Sequence, residues 1–147
     1  MKLGWQRAAA WLIEWWRTFF YPGTLGQQGE AAAARFLRRL GYKILVRGDR
    51  VQLGELDLVA VDGRTLVFVE VKTRRSTDAG EPADAVDPVK QRRLTRLALG
   101  YMKRHGLLSY PARFDVIAVV WPEGARHPQI EHFKNAFQAQ GFDGLYS

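Results

Sequence analysis

The chain has 147 residues, about one domain's worth, and its 47% hydrophobic and 25% charged residues exclude a wholly disordered polymer. It contains no cysteine, which excludes disulfide scaffolds, thiolate metal sites and cysteine nucleophiles and points to a reducing cytoplasm. Lys and Arg outnumber Asp and Glu by 22 to 15, and the resulting net charge of +7 favours a polyanionic partner, nucleic acid first and an anionic membrane surface second.

From the N-terminus, the stretch Ala8 to Ile13, closed off by Arg7 and Glu14, is too short for a membrane span or a signal-peptide core. Trp5, Trp11, Trp15, Trp16, Phe19 and Phe20 crowd this region. Gln6, Arg7, Glu14, Arg17 and Thr18 gather on roughly one third of a helical wheel. Residues 1–22 therefore read as an amphipathic helix with a broad apolar face. Residues 3–20 are expected to pack in a homodimer or another protein interface, with a membrane-surface contact ranked behind. Pro22-Gly23 ends the segment, and residues 23–26 read as a linker.

The main domain is expected over residues 27–137, with a tail at 138–147. A helix is predicted from Gln27 to Leu40, with Gly41 placed to terminate it. A strand from Tyr42 to Val46, a turn at Gly48-Asp49 and a long strand from Val51 to Val61 follow. Asp62-Gly63 signals a hairpin, and Thr65 to Thr73 is the returning strand. Asp87-Pro88 supplies an N-cap and a first-turn proline for a helix running to about Arg104. Phe114 to Trp121 is a further strand, and Ile130 to Phe133 a short last one. The order predicts an α/β fold, a mixed β-sheet flanked by helices with an extra N-terminal amphipathic helix.

The hairpin carries the chemistry. In GELDLVA, Glu55 and Asp57 project from one strand face, and in FVEVKT, Glu70 and Lys72 do the same on the next strand. Leu56, Leu58, Val69 and Val71 are then expected on the opposite, buried face. A two-residue loop at Asp62-Gly63 sets Asp57 opposite Phe68, whereas a four-residue loop sets it opposite Glu70. A three-residue loop without a bulge separates the two sets. In either even register two acids and a lysine converge. Converging carboxylates suit a hard divalent ion, and a nearby lysine suits metal-assisted phosphodiester hydrolysis.

Together, GQQGEAAAARFLRRLGYKIL, GELDLVAVDGRTLVFVEVKTR, AVDPVKQRRL and RFDVIAV resemble the YraN family of small bacterial proteins over about residues 26 to 137. That family is assigned to the restriction-endonuclease-like, PD-(D/E)xK superfamily, alongside archaeal Holliday-junction resolvases. The resemblance implies that Asp57, Glu70 and Lys72 occupy the D…(D/E)xK positions and Glu30 the first-helix glutamate. Gln91 matches the glutamine on the following helix of some branches. The signature proline is absent, since Leu56 precedes Asp57. Asp57 and Glu70 would hold Mg²⁺ or Mn²⁺, with the Val71 backbone carbonyl and Glu30 as further oxygens. Lys72 would position or activate the attacking water. Glu55 is expected to pair with Arg74.

The helix after the hairpin is basic. Lys90, Gln91, Arg92, Arg93 and Arg96, with Arg74 and Arg75 beyond the lysine, form the expected DNA-binding surface, one that grips phosphates without reading sequence. Asp115 is read as structural, and the three histidines as surface or capping residues, since no zinc spacing emerges. The expected function is a cytoplasmic, Mg²⁺-dependent endonuclease acting on branched or structured DNA. The rival is a DNA-binding or partner-recruiting module of the same fold with little turnover.

Overall fold

The structure, a computed structural model, describes residues 23–51, 54–77 and 86–140, with the side chains of residues 49–51 and 54 outside that description. The predicted N-terminal helix and the end of the C-terminal tail lie outside the described residues.

Helix α1, Leu25–Arg39, begins at a reciprocal capping box. Thr24 Oγ1 accepts from the Gln27 N–H at 3.2 Å, and Gln27 Oε1 accepts from the Thr24 N–H at 3.0 Å. Thr24 thus caps this helix and Leu25 and Gly26 open it, where a linker was expected over residues 23–26. Gly41, at φ +93°, turns the chain out of the helix as predicted.

Strands β1 (Lys43–Val51), β2 (Gly54–Asp62) and β3 (Thr65–Arg74) form an antiparallel meander. The predicted turn at Gly48-Asp49 is not a turn. Gly48 takes a left-handed φ of +63° inside β1 while pairing with β2 continues on both sides of it. The chain reverses instead between Val51 and Gly54, so the long Val51 to Val61 strand is divided there.

At the next reversal Asp62 pairs with Thr65, which makes Gly63-Arg64 the two-residue turn. Gly63 has φ +62° and Arg64 does not share it, as expected when only the first central position needs a left-handed residue. The register is therefore the one that sets Asp57 across from Glu70.

Helix α2 (Pro88–Arg104) crosses over to β4 (Ala112–Val120), which pairs parallel to β3. Strand β5 (Gln129–Phe137) returns antiparallel and runs four residues beyond its predicted end at Phe133. The sheet order β1-β2-β3-β4-β5, with a helix on each face, is the restriction-endonuclease-like arrangement that the resemblance implied.

Two cores result, one on each face. Leu58, Val67, Val69, Ile117 and Val119 of the sheet pack against Leu37 of α1. Leu56, Val59, Phe68 and Val116 of the sheet pack against Leu94 and Leu97 of α2. Leu56 thus leaves the company of Leu58 and Val69 that alternation predicted. The face bearing the acids is not a solvated one either, because α2 covers much of it.

Candidate active site

The β2–β3 ladder stops after Leu58↔Val69, and the candidate site occupies the place where it stops. In place of the next ladder bond, Asp57 Oδ2 accepts the Val71 N–H at 2.9 Å. This contact fixes the Asp57 carboxyl beside β3, where the Glu70 carboxylate lies close enough to act on its charge. By the pleat, Glu70 and Lys72 continue the side of Leu66 and Phe68 and so face α2. Glu70 is only 8% exposed.

Glu30 reaches the same acids from α1. Its approach is made possible by the preceding residue, because Gly29 touches Thr73 of β3. A Cβ on Gly29 would fall 2.8 Å from the Thr73 Cβ, so only glycine lets the helix lie this close. Glu55 is exposed, and its Oε1 lies next to Gly48 on the side where the Glu30 carboxylate also approaches.

The electrostatics follow from this crowding. Burial first, then the neighbouring Glu70, push the Asp57 carboxyl up to about 8. Burial and the nearby Glu55 also raise Glu30, against the opposing pull of Arg47. Lys72 is lowered, by burial and then by the cations Lys90 and Arg74, which outweigh Glu70 and Asp57. An acid pair this buried is stable only if it binds a proton or a cation. The donors are all oxygens, and Mg²⁺ needs only one or two carboxylates plus water, so the residues fit a hard divalent ion. Among the described residues no three acid or histidine side chains are drawn together as a ready-made cage.

The predicted site residues therefore divide. Asp57, Glu70 and Lys72 come together, and Glu30 stands near enough to feel their charge. Val71, named for its carbonyl, takes part here through its N–H. Lys90, assigned to the phosphate-binding stripe, instead forms an ion pair with Glu70. Gln91 donates to the Val86 carbonyl at 2.9 Å and braces the entry to α2. Arg75 is half-buried and donates to the Trp121 carbonyl at 3.1 Å, which ties β3 to the end of β4. Arg92, Arg93 and Arg96 are exposed on α2, as the basic surface requires.

Sequence reasoning missed the Lys90 contact, although the cap contained the signal. With Asp87 as N-cap, Lys90 falls in the first turn, at the end of α2 that the crossover delivers to β3. It also misread His132. That ring is buried and bonds Asp115 Oδ2 at 2.8 Å, while Arg113 Nε and the Asn135 N–H donate to Asp115 Oδ1 at 3.0 and 2.9 Å. Asp115 is 0% exposed and lies on the α1 side of the sheet, away from Glu70, so its structural reading holds. An acid inside an apolar strand such as RFDVIAVV must find partners, and this was the available clue.

Residues 29–119 match the uncharacterised protein family UPF0102. The chain is similar to a UPF0102 protein of Rhodopirellula baltica, 48% identical over 125 residues, covering 83% of this chain and 75% of that protein. It is 51% identical to the UPF0102 protein of Geotalea daltonii over 114 residues, 78% of this chain and 89% of the relative. A UPF0102 protein of Geobacter sulfurreducens is also 51% identical, over 116 residues, with 78% and 88% covered.

Proposed function

The chain belongs to family UPF0102, the YraN family, and from its acid–lysine cluster we propose that it is a divalent-metal-dependent endonuclease that hydrolyses phosphodiester bonds in branched or structured DNA. The observation that carries this reading is the strand register that sets Asp57 across from the buried Glu70, with Lys72 two residues further along the same face.

Asp57 and Glu70 would hold Mg²⁺ or Mn²⁺, with Glu30 and the Val71 carbonyl as further oxygens. The bound ion would polarise the phosphodiester and acidify a water. Lys72 orients the attacking water and offsets the charge that builds on the phosphorane-like transition state. Its lowered pKa leaves more of the amine neutral near pH 7, and so free to accept a proton, than in an ordinary lysine. Arg92, Arg93, Arg96 and Arg74 hold the DNA through its phosphates. No helix among the described residues is long and apolar enough to cross a membrane. A cytoplasmic location is proposed on the cysteine-free composition. The tryptophan-rich residues 3–20 are proposed to mediate self-association or partner binding.

A second reading, a DNA-binding module with little turnover, is favoured by the ion pair in which Lys90 occupies Glu70, one of the two carboxylates a metal would need. Cleavage of junction, flap, duplex and single-stranded DNA, with and without Mg²⁺ or Mn²⁺, separates the two. The nuclease reading requires metal-dependent cutting that Lys72→Ala reduces by at least about a hundredfold. Tight binding without cutting under any metal establishes the binding module.

A further inference from the structure

Lys90 occupies an unfavourable place for a cation. It lies in the first turn of α2, where its N–H donates to the Asp87 cap at 2.8 Å. The positive end of the helix dipole disfavours an ammonium there, and the Asp87 cap, whose carboxylate accepts a backbone N–H, is the only acid at this end of the helix among the described residues. Its ion-pair partner comes from another element, the buried Glu70 of β3. The Lys90 side chain keeps 27% of its surface exposed, so its ammonium has a route to solvent without any movement of the helix.

Glu70 is also one of the two carboxylates assigned to the divalent ion. One carboxylate cannot fully compensate both an ammonium and a dication at close range, so the two cations compete. We propose that Lys90 is a positioning residue that occupies Glu70 until a divalent metal takes it, and that the displaced ammonium then becomes a phosphate contact for the DNA. Metal binding and DNA binding are thereby coupled through one side chain, and by linkage each strengthens the other. The inference rests on the metal-site reading above and adds a residue that the acid–lysine motif does not contain.

The test uses the full chain and Mn²⁺ alone, with free Mn²⁺ followed by electron paramagnetic resonance. Lys90→Met should bind Mn²⁺ roughly tenfold more tightly than the wild type, and Lys90→Arg should not, because it keeps the competing charge. DNA affinity in Ca²⁺ divided by that in EDTA should be smaller for Lys90→Met than for the wild type. Equal or weaker Mn²⁺ binding by Lys90→Met, or an unchanged Ca²⁺ ratio, overturns the proposal. Should Lys90→Met fail to fold, the Lys90 ε-CH₂ resonance of the wild type, assigned against Lys90→Arg, must move as Mg²⁺ saturates; an unmoved resonance overturns it. Asp57→Asn is the control. If that variant binds Mn²⁺ like the wild type, the metal-site reading fails together with the inference. If it loses Mn²⁺ while Lys90→Met binds normally, only the role of Lys90 fails.

Discussion

Asp57 and Asp115 both leave water on folding, yet their carboxyls move in opposite directions. Asp57 meets another carboxyl and is pushed up to about 8. Burial alone would raise Asp115 as well, but His132, Arg113 and the Asn135 N–H outweigh it and hold Asp115 below its ordinary value. The folded state thus binds the Asp57 proton more tightly than the unfolded chain does, and metal-free stability should fall as pH rises from about 4 towards 8. A divalent ion should reverse that loss. With an assumed dissociation constant of about 1 mM, 10 mM Mn²⁺ adds roughly 1.4 kcal/mol, a melting shift of a few degrees. Asp57→Asn should abolish most of the shift and flatten the pH dependence, as read by thermal melts from pH 5 to 9. For Asp115 the sign is reversed. Its contribution is complete above the unfolded value near 3.8 and is lost as pH falls through the lower folded value. Asp115→Asn should cost about 3–5 kcal/mol at pH 7, the usual penalty for breaking a buried ion pair. In melts from pH 3 to 7 its acid limb should be shallower than that of the wild type.

Helix α1 and the β2–β3 hairpin show what the sequence could and could not convey at the level of elements. The alternation in GELDLVA and FVEVKT located both strands and both acids, because period-2 burial is written directly in side-chain type. Register was not written there. Asp62-Gly63 and Gly63-Arg64 are both acceptable turns on paper, and the left-handed φ of Gly63 serves either. The choice between them is tertiary, and it decides whether Asp57 faces Phe68 or Glu70. Gly48 misled for a related reason, since a glycine can kink a strand without ending it. The close seat of α1 on β3 was invisible in the sequence, because it depends on Gly29 meeting Thr73. Gly29→Ala should cost about 1–3 kcal/mol in urea denaturation, as overpacking does, since the new Cβ would fall 2.8 Å from the Thr73 Cβ and Cγ2. It should also lower metal affinity by shifting Glu30. Adding Thr73→Ala removes Oγ1, a buried hydroxyl that lacks a hydrogen-bond partner, and should recover part of the stability.

Across the whole molecule, the charge of +7 is not spread evenly in its consequences. Lys90, Arg75 and Arg113 hold elements together, whereas Arg92, Arg93 and Arg96 stand exposed on α2. Replacing those three with Ala should change stability by less than about 0.5 kcal/mol. It should weaken every DNA substrate alike and flatten the plot of log affinity against log salt by about 0.9 for each duplex phosphate that the variant no longer neutralises. Unchanged binding across a salt series would reduce the stripe to solvated surface. Composition alone favours a polyanion partner but cannot show this division of labour, since a lysine in an ion pair and an exposed arginine count equally in a net charge.

The two-residue turn at Gly63-Arg64 also bears on the order in which the protein assembles. It lets β2 and β3 zip locally, at small loop-closure cost, and so brings Asp57 to Glu70 early. Lys90 arrives only when the crossover through α2 docks β4 beside β3, a non-local and slower event. For the interval between, the hairpin carries an acid pair that has no lysine from α2 to answer it. Protons and divalent cations in the refolding medium should therefore change the rate at which this fold is reached, as followed by stopped-flow refolding across pH and Mn²⁺ concentration, and not only its final stability.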